Sequence, residues 1–159
     1  MPTPSDIGLR VAESAGDLGH VRALFLEYGA SLDFDLCFQG FDGELAALPG
    51  AYGPPGGRLF LARVEGKLAG GVGLRPLQAG ISEMKRLYVR PEFQGLGLGR
   101  RLAEATIEAA REIGYRCMRL DTIAKMCAAQ ALYRSLGFTE IPPYYDNPLE
   151  GEVYFELKL

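Results

Sequence analysis

The chain has 159 residues, 48% of them hydrophobic and 23% charged, with a net charge of −3. That length can bury a core without staples, and the composition is that of an ordinary globular protein rather than a disordered one. No apolar run reaches the roughly 20 residues of a bilayer span, and the acidic total gives no global attraction to nucleic acid.

The N-terminus, MPTPSDIGLR, lacks the apolar core of a signal peptide, which predicts a cytoplasmic protein. Cys37, Cys117 and Cys127 lack CxxC spacing, and His20 is the one histidine, so the chain has no standard zinc set and no metal is expected. Reduced thiols are the reading of the three cysteines.

Residues 7–13 alternate at Ile7, Leu9 and Val11 and predict a first strand. Capping chemistry at Ser14–Asp17 opens a helix whose apolar stripe is Leu18, Val21, Phe25 and Tyr28, with His20 off the stripe. After Gly29 the pattern loosens into a connection carrying Phe34, Phe38 and Phe41, then a short helix near Phe41–Leu48. These aromatics either pack as a satellite core or roof a substrate pocket. Turn chemistry at Ala51–Gly57 closes the segment.

Two alternating runs joined across Glu65–Gly66–Lys67 predict a hairpin, with Leu59, Leu61 and Val64 apolar on one side and Leu68, Val72 and Leu74 on the other. ISEMKRLYV adds a third meander strand, and its alternation falters near Leu87–Val89 as a β-bulge would make it. A helix follows from Leu98 to Ile113, stopped by Gly114, and RCMRLDT is the next strand. A second helix runs from about Met126 to Leu136, Phe138–Ile141 is a short strand, PPYYDNPLEG is a loop, and VYFELKL closes the chain. The order is β-α-α-β-β-β-α-β-α-β-β, an α/β mixed sheet with helices on its faces. With no repeat, linker or low-complexity stretch, one domain over 1–159 is expected.

Between the meander and the long helix lies Leu87–Arg101, with Gly95, Gly97 and Gly99 at alternate positions. Three glycines at a strand-to-helix junction are entropically costly. They allow close backbone approach to a ligand, and a helix N-terminus favours an anion. Residues 85–101 hold Lys85, Arg86, Arg90, Arg100 and Arg101 against Glu92 alone, a positive island on an acidic protein. A P-loop is excluded because no Gly-Lys-Ser/Thr occurs. A dinucleotide fingerprint does not fit the GxGxG spacing or a turn placed after an antiparallel meander.

Gln94–Gly95–Leu96–Gly97–Leu98–Gly99 resembles the [RQ]xxGx[GA] motif of the GNAT superfamily of acyl-CoA-dependent N-acetyltransferases, and EMKRLYVRPEF resembles the strand before it. Ala131–Leu132–Tyr133–Arg134–Ser135–Leu136–Gly137–Phe138 resembles the family's second signature, ALYxxxGF, at the expected distance. The match covers about residues 82–140; the amino-terminal half agrees in layout.

The resemblance implies a GNAT-like, mostly antiparallel mixed sheet flanked by helices. It implies transfer of an acetyl group from acetyl-CoA to a primary amine of a small molecule or peptide by direct attack. Backbone N–H groups of Gln94, Gly95, Leu96, Gly97, Leu98, Gly99 and Arg100 would hold the pyrophosphate. Strand 82–89 would splay from strand 116–122, so that Leu87, Tyr88 and Val89 lie along the pantetheine arm. The N–H near Leu87 would polarise the thioester, and Arg90, Arg100 and Arg101 are candidates for the phosphate charges. Tyr133 is the expected proton donor to the leaving thiolate, with Glu83 as first and Asp121 as second candidate for the base. Phe34, Phe38, Tyr144 and Tyr145 are candidate acceptor-site residues. One departure is Met126, where many family members carry Asn.

An amine substrate is the one expected partner, with no nucleic acid, no membrane and a homodimer as an ordinary option. The acids of residues 29–57 and 141–152, unaccompanied by Arg or Lys, lean towards a cationic acceptor. The alternative function is a non-catalytic acyl-CoA-binding regulatory domain.

Overall fold

A computed structural model describes residues 6–32, 40–123, 126–146 and 151–159. The elements run β1 (Ile7–Val11), α1 (Ala15–Ala30), α2 (Phe41–Ala46), β2 (Arg58–Val64), β3 (Lys67–Gln78), β4 (Ile81–Val89), α3 (Leu98–Ile113), β5 (Cys117–Ile123), α4 (Cys127–Ser135), β6 (Thr139–Ile141) and β7 (Glu152–Lys158). This is the order that periodicity and turn chemistry predict.

Among the described residues the strands form one seven-stranded sheet, β1-β2-β3-β4-β5-β7-β6. Every neighbour pair is antiparallel except β4 with β5. The first hairpin turns at Glu65 and Gly66, φ 50° and 79°, the paired positive values of the turn that matches strand twist.

Helices cover both faces. Leu98, Leu102, Ala103, Ile107 and Ala110 of α3 pack on Ala62, Val72, Met84, Met118 and Phe155. Val21, Leu24 and Phe25 of α1, with Phe41 and Leu45 of α2, pack on Leu59 and Leu61 of the opposite face. Leu59 and Leu61 face α1, whereas Val64 joins the α3 cluster, because a strand covered on both faces is apolar on both.

α1 starts at a reciprocal cap. The Ser14 hydroxyl accepts from the Asp17 N–H at 3.1 Å, and the Asp17 carboxylate accepts from Ser14 N–H at 3.3 Å. The cap fixes the register of the helix that later brings Tyr28 to the site. Among the described residues no helix is long and apolar enough to cross a membrane.

Ser14→Ala is expected to lower unfolding free energy by about 0.5–2 kcal/mol. Leu26→Ala, at a side chain 50% exposed on the same helix, should change it far less. Urea unfolding of the two variants checks the contrast.

Candidate active site

Parallel pairing of β4 with β5 covers three residue pairs: Ile81 with Cys117, Ser82 with Met118, and Glu83 with Arg119. The seam is pinned at its base by Arg116 N–H to Gly80 C=O at 2.9 Å and by the buried Ser82 hydroxyl on Cys117 C=O at 3.1 Å. Past Glu83 the strands diverge, as the resemblance implies. The gap is a cleft of about 300 Å³ walled by Lys85, Leu87, Tyr88 and Val89 on one side and by Leu120 to Ile123 on the other.

A bulge sharpens the divergence. Gly71 faces Tyr88 and Gly73 faces Lys85, so β4 carries one residue more than β3 across this interval. The extra residue is Arg86, at φ 61°, one position before the stretch where the sequence pattern falters. A non-glycine residue there needs support. Its guanidinium donates to both Glu44 oxygens, at 3.1 and 3.3 Å, and lies 5.1 Å from the Phe41 ring centroid. Thus α2 holds the bulge.

The glycine turn sits at the mouth. Gly95 and Gly97 have φ of 84° and 79°, and open space lies where a Cβ would stand. Gly97 caps α3 without a side-chain bond, and the first backbone bond of the helix runs from Arg101 N–H to Gly97 C=O. The N–H groups of Leu98, Gly99 and Arg100 therefore have no intrahelical acceptor. Gln94 lines the cleft and donates its side-chain amide to Val89 C=O at 3.2 Å. Arg100 is half-exposed and bonds Ser135 at 2.9 Å. Arg90 is engaged elsewhere, bidentate on Glu27 at 2.9 and 2.7 Å, where it ties α1 to the end of β4.

Tyr133 lines the cleft from the α3 side. Its ring packs edge-on against Phe138 and tilted on Phe155, with centroids 5.7 and 6.1 Å away. Burial, then Tyr28 and Asp121, push its phenol above the ordinary range, so it stays protonated at neutral pH. Met126 stands at the start of α4 within reach of the Thr122 hydroxyl, 3.7 Å from its sulfur.

On the opposite face runs a polar seam. Glu83 is 2% exposed; one oxygen pairs with Arg75 at 2.9 Å, and the other accepts the Tyr144 hydroxyl at 2.6 Å. It lines a second cavity of about 220 Å³ with Arg75, Lys85, Tyr144, Tyr145 and Asp146, adjoining the main cleft at Lys85. Asp121 is 3.6 Å from the Lys85 ammonium and accepts the Tyr145 hydroxyl at 2.6 Å. The two tyrosines of the β6–β7 loop thus latch onto the two carboxylates read from the sequence as candidate bases. Burial first, then those carboxylates, raise both phenols. Phe34 and Phe38 lie outside the described residues.

Three contributors escape the sequence reading. Tyr28, taken as an apolar-stripe residue, lines the cleft, and burial raises its phenol to about 12. Lys85, read only as part of a positive island, is the buried divider of the two cavities. Glu152 lines the cleft from the first position of β7, and burial, then Asp121, push its carboxyl up to about 7. Its one sequence signal is its place among the acids of residues 29–57 and 141–152, which lean towards a cationic acceptor without singling it out.

The profile of the Acetyltransferase (GNAT) family matches residues 25–138. An uncharacterised N-acetyltransferase of Schizosaccharomyces pombe is 41% identical over 161 residues, covering 100% of this chain and 99% of the relative. The crystal structure of an acetyltransferase from Streptococcus agalactiae has a TM-score of 0.78 at 20% identity, covering 97% of this chain and 99% of that one. A Salmonella typhimurium structure that holds its cofactor acetyl-CoA has a TM-score of 0.73 at 21% identity, covering 96% and 94%. At such identities the structural likeness carries the fold alone.

Glu44→Ala is expected to cost about 3–5 kcal/mol in urea unfolding, because it leaves Arg86, 5% exposed, as a buried charge without its carboxylate.

Proposed function

Because the chain belongs to the acetyltransferase (GNAT) family, we propose that the β4–β5 cleft is where it transfers an acetyl group to a primary amine of a small molecule or peptide, by direct attack. The protein is an N-acetyltransferase that uses acetyl-CoA, and its partners are that donor and an amine acceptor. The observation that carries the placement is the coincidence, in one cleft, of a ladder that stops at Glu83, an uncapped helix N-terminus at its mouth and a buried tyrosine in its wall.

The residues present fit the donor. N–H groups from Gly95 to Arg100 would hold the pyrophosphate, because glycines at φ 84° and 79° leave open space where side chains would intrude. The β5-facing edge of β4 at Leu87 to Val89, left without a strand partner, would pair with the amide-bearing arm. Bound acetyl-CoA supplies the acetyl group as a thioester, which the amine nitrogen attacks. The N–H near Leu87 would donate to the carbonyl oxygen as it becomes negative. The Tyr133 hydroxyl would give its proton to the departing sulfur, a role suited to a phenol that burial keeps protonated. Arg100 and Arg101 remain the phosphate candidates, with Arg90 assigned to the Glu27 clamp.

Tyr144 and Tyr145 are proposed as the acceptor-side wall, supported by their place in the cavity that adjoins the cleft. Glu83, with both oxygens engaged, is assigned to holding that wall in place. A cytoplasmic setting is proposed as well, since the buried Cys117 is a free thiol.

Release of free thiol from acetyl-CoA in the presence of a primary-amine panel tests the reading. Tyr133→Phe should lower turnover about 10²–10⁴-fold with CoA binding retained; near-normal turnover would remove Tyr133 from the chemistry. Gly97→Val places a branched side chain at φ 79°, at a cost of roughly 1–2 kcal/mol. CoA affinity by titration calorimetry should then fall about tenfold.

A further inference from the structure

The strands and α2 bring three cations, Arg75, Lys85 and Arg86, together with four carboxylates, Glu44, Glu83, Asp121 and Glu152, on one side of the sheet. Glu44 and Glu83 hold the two arginines, and Asp121 holds Lys85. Glu152 is the carboxylate left over. Its Oε2 is buried without a hydrogen-bond partner in the structure. Strand register fixes its direction: Asp121 is opposite Tyr154 and Ile123 is opposite Glu152, so the two acids are diagonal neighbours on one face, about 7–8 Å apart. Both line the cleft that Tyr133 lines from the other face.

Glu152 is half-buried, but its Oε2 is shut off from water without a partner, and Lys85, the cation that acts on it, is already held by Asp121. A primary ammonium in the cleft would supply both a donor and a further positive charge. We propose that Glu152 receives the acceptor's ammonium and takes the first proton from it. This deepens the acetyl-transfer reading and rests on it.

In the step, R–NH₃⁺ and the Glu152 carboxylate become R–NH₂ and the Glu152 carboxylic acid. The freed lone pair forms the C–N bond as the C–S bond breaks. The nitrogen's second proton ends on the sulfur by way of the Tyr133 hydroxyl, which gives one proton and regains one. Glu152 then returns its proton to water. The groups facing Glu152 set its titration: Asp121 of β5 raises its pKa and Lys85 of β4 lowers it. Tyr28 of α1, which Glu152 influences in turn, stays neutral throughout. With burial dominant the carboxyl titrates near 7, so Glu152 is a base above that pH and a neutral acid below it.

The test has two parts. Carboxyl carbons of ¹³C-glutamate-labelled protein, followed by NMR from pH 4 to 9, should show one group titrating near 7 that is missing from Glu152→Gln. Glutamates that all titrate below about 5 would overturn the assignment. With saturating acetyl-CoA and the best amine of a panel of amino acids, spermidine and a peptide with a free N-terminus, kcat/KM should rise with pH through about 7. Glu152→Gln should lose that limb and be about 10²-fold slower at pH 8, with CoA affinity unchanged; Glu152→Asp should regain part of the rate. An active Glu152→Gln that keeps the limb overturns the inference while leaving acetyl transfer intact. An unaltered protein inactive on every amine sinks the underlying reading and this assignment together.

Discussion

Two parallel strands bonded along their whole length lie about 4.8 Å apart, with no room between them for a ligand. β4 and β5 escape that limit because their ladder ends after three residue pairs. Below the end the seam is pinned by main chain and by Ser82; above it, Arg86 adds a residue that the neighbouring strand does not match. The cleft is therefore a property of backbone register before it is one of any side chain. Its walls are strand edges, which suits a ligand that carries amides along its length.

Holding that register takes charge in the interior. Arg86 keeps a left-handed φ because Glu44 bonds it at two points and Phe41 lies beneath it. α2, six residues long, is too short to be stable as an isolated helix. Its place is given by Phe41 and Leu45 in the core and by Glu44 between two arginines. Buried ion pairs of this kind are poor sources of net stability, but each fails badly when one partner is removed. They fix geometry. Here they fix the face from which carboxylates meet the cleft.

The sequence shows the fold well, and the glycine turn at the mouth of the cleft, because both depend on signals that are local in the chain. Hairpin turn, capping box, helix stops and glycine turn each lie within a few residues of what they determine. Tyr133 is legible through its motif context. The acceptor half is not legible in the same way. Tyr28 sits in an apolar stripe and reads as core, and Lys85 and Arg86 read as part of the positive island around the glycine turn although both are buried and paired with carboxylates. Glu83 and Asp121 read as candidate bases, yet each proves to hold a tyrosine 61 or 24 residues away. Nothing in the local pattern separates Glu152 from a surface acid. Its character comes from the register of β5 with β7 and from which neighbours are already paired.

This asymmetry follows from what each half must recognise. Holding a phosphate and an extended amide chain uses N–H groups and strand edges, which any sequence of the right backbone shape provides. Glycine spacing therefore announces it. On the proposed reading, recognising an amine would use side chains that line the gap from two faces: Tyr133 on the α3 side, Asp121 and Glu152 on the α1 side. Their alignment requires the sheet to be whole, with Tyr144 on Glu83 and Tyr145 on Asp121 tying the last loop to the strands that part. The loop that carries Tyr144 and Tyr145 is thus anchored on Glu83, which ends the ladder, and on Asp121, which lines the cleft. On the proposed reading, changing acceptor specificity through Tyr144 and Tyr145 would disturb Glu83 and Asp121 as well, so the two tyrosines and the two strand carboxylates form one unit of selection.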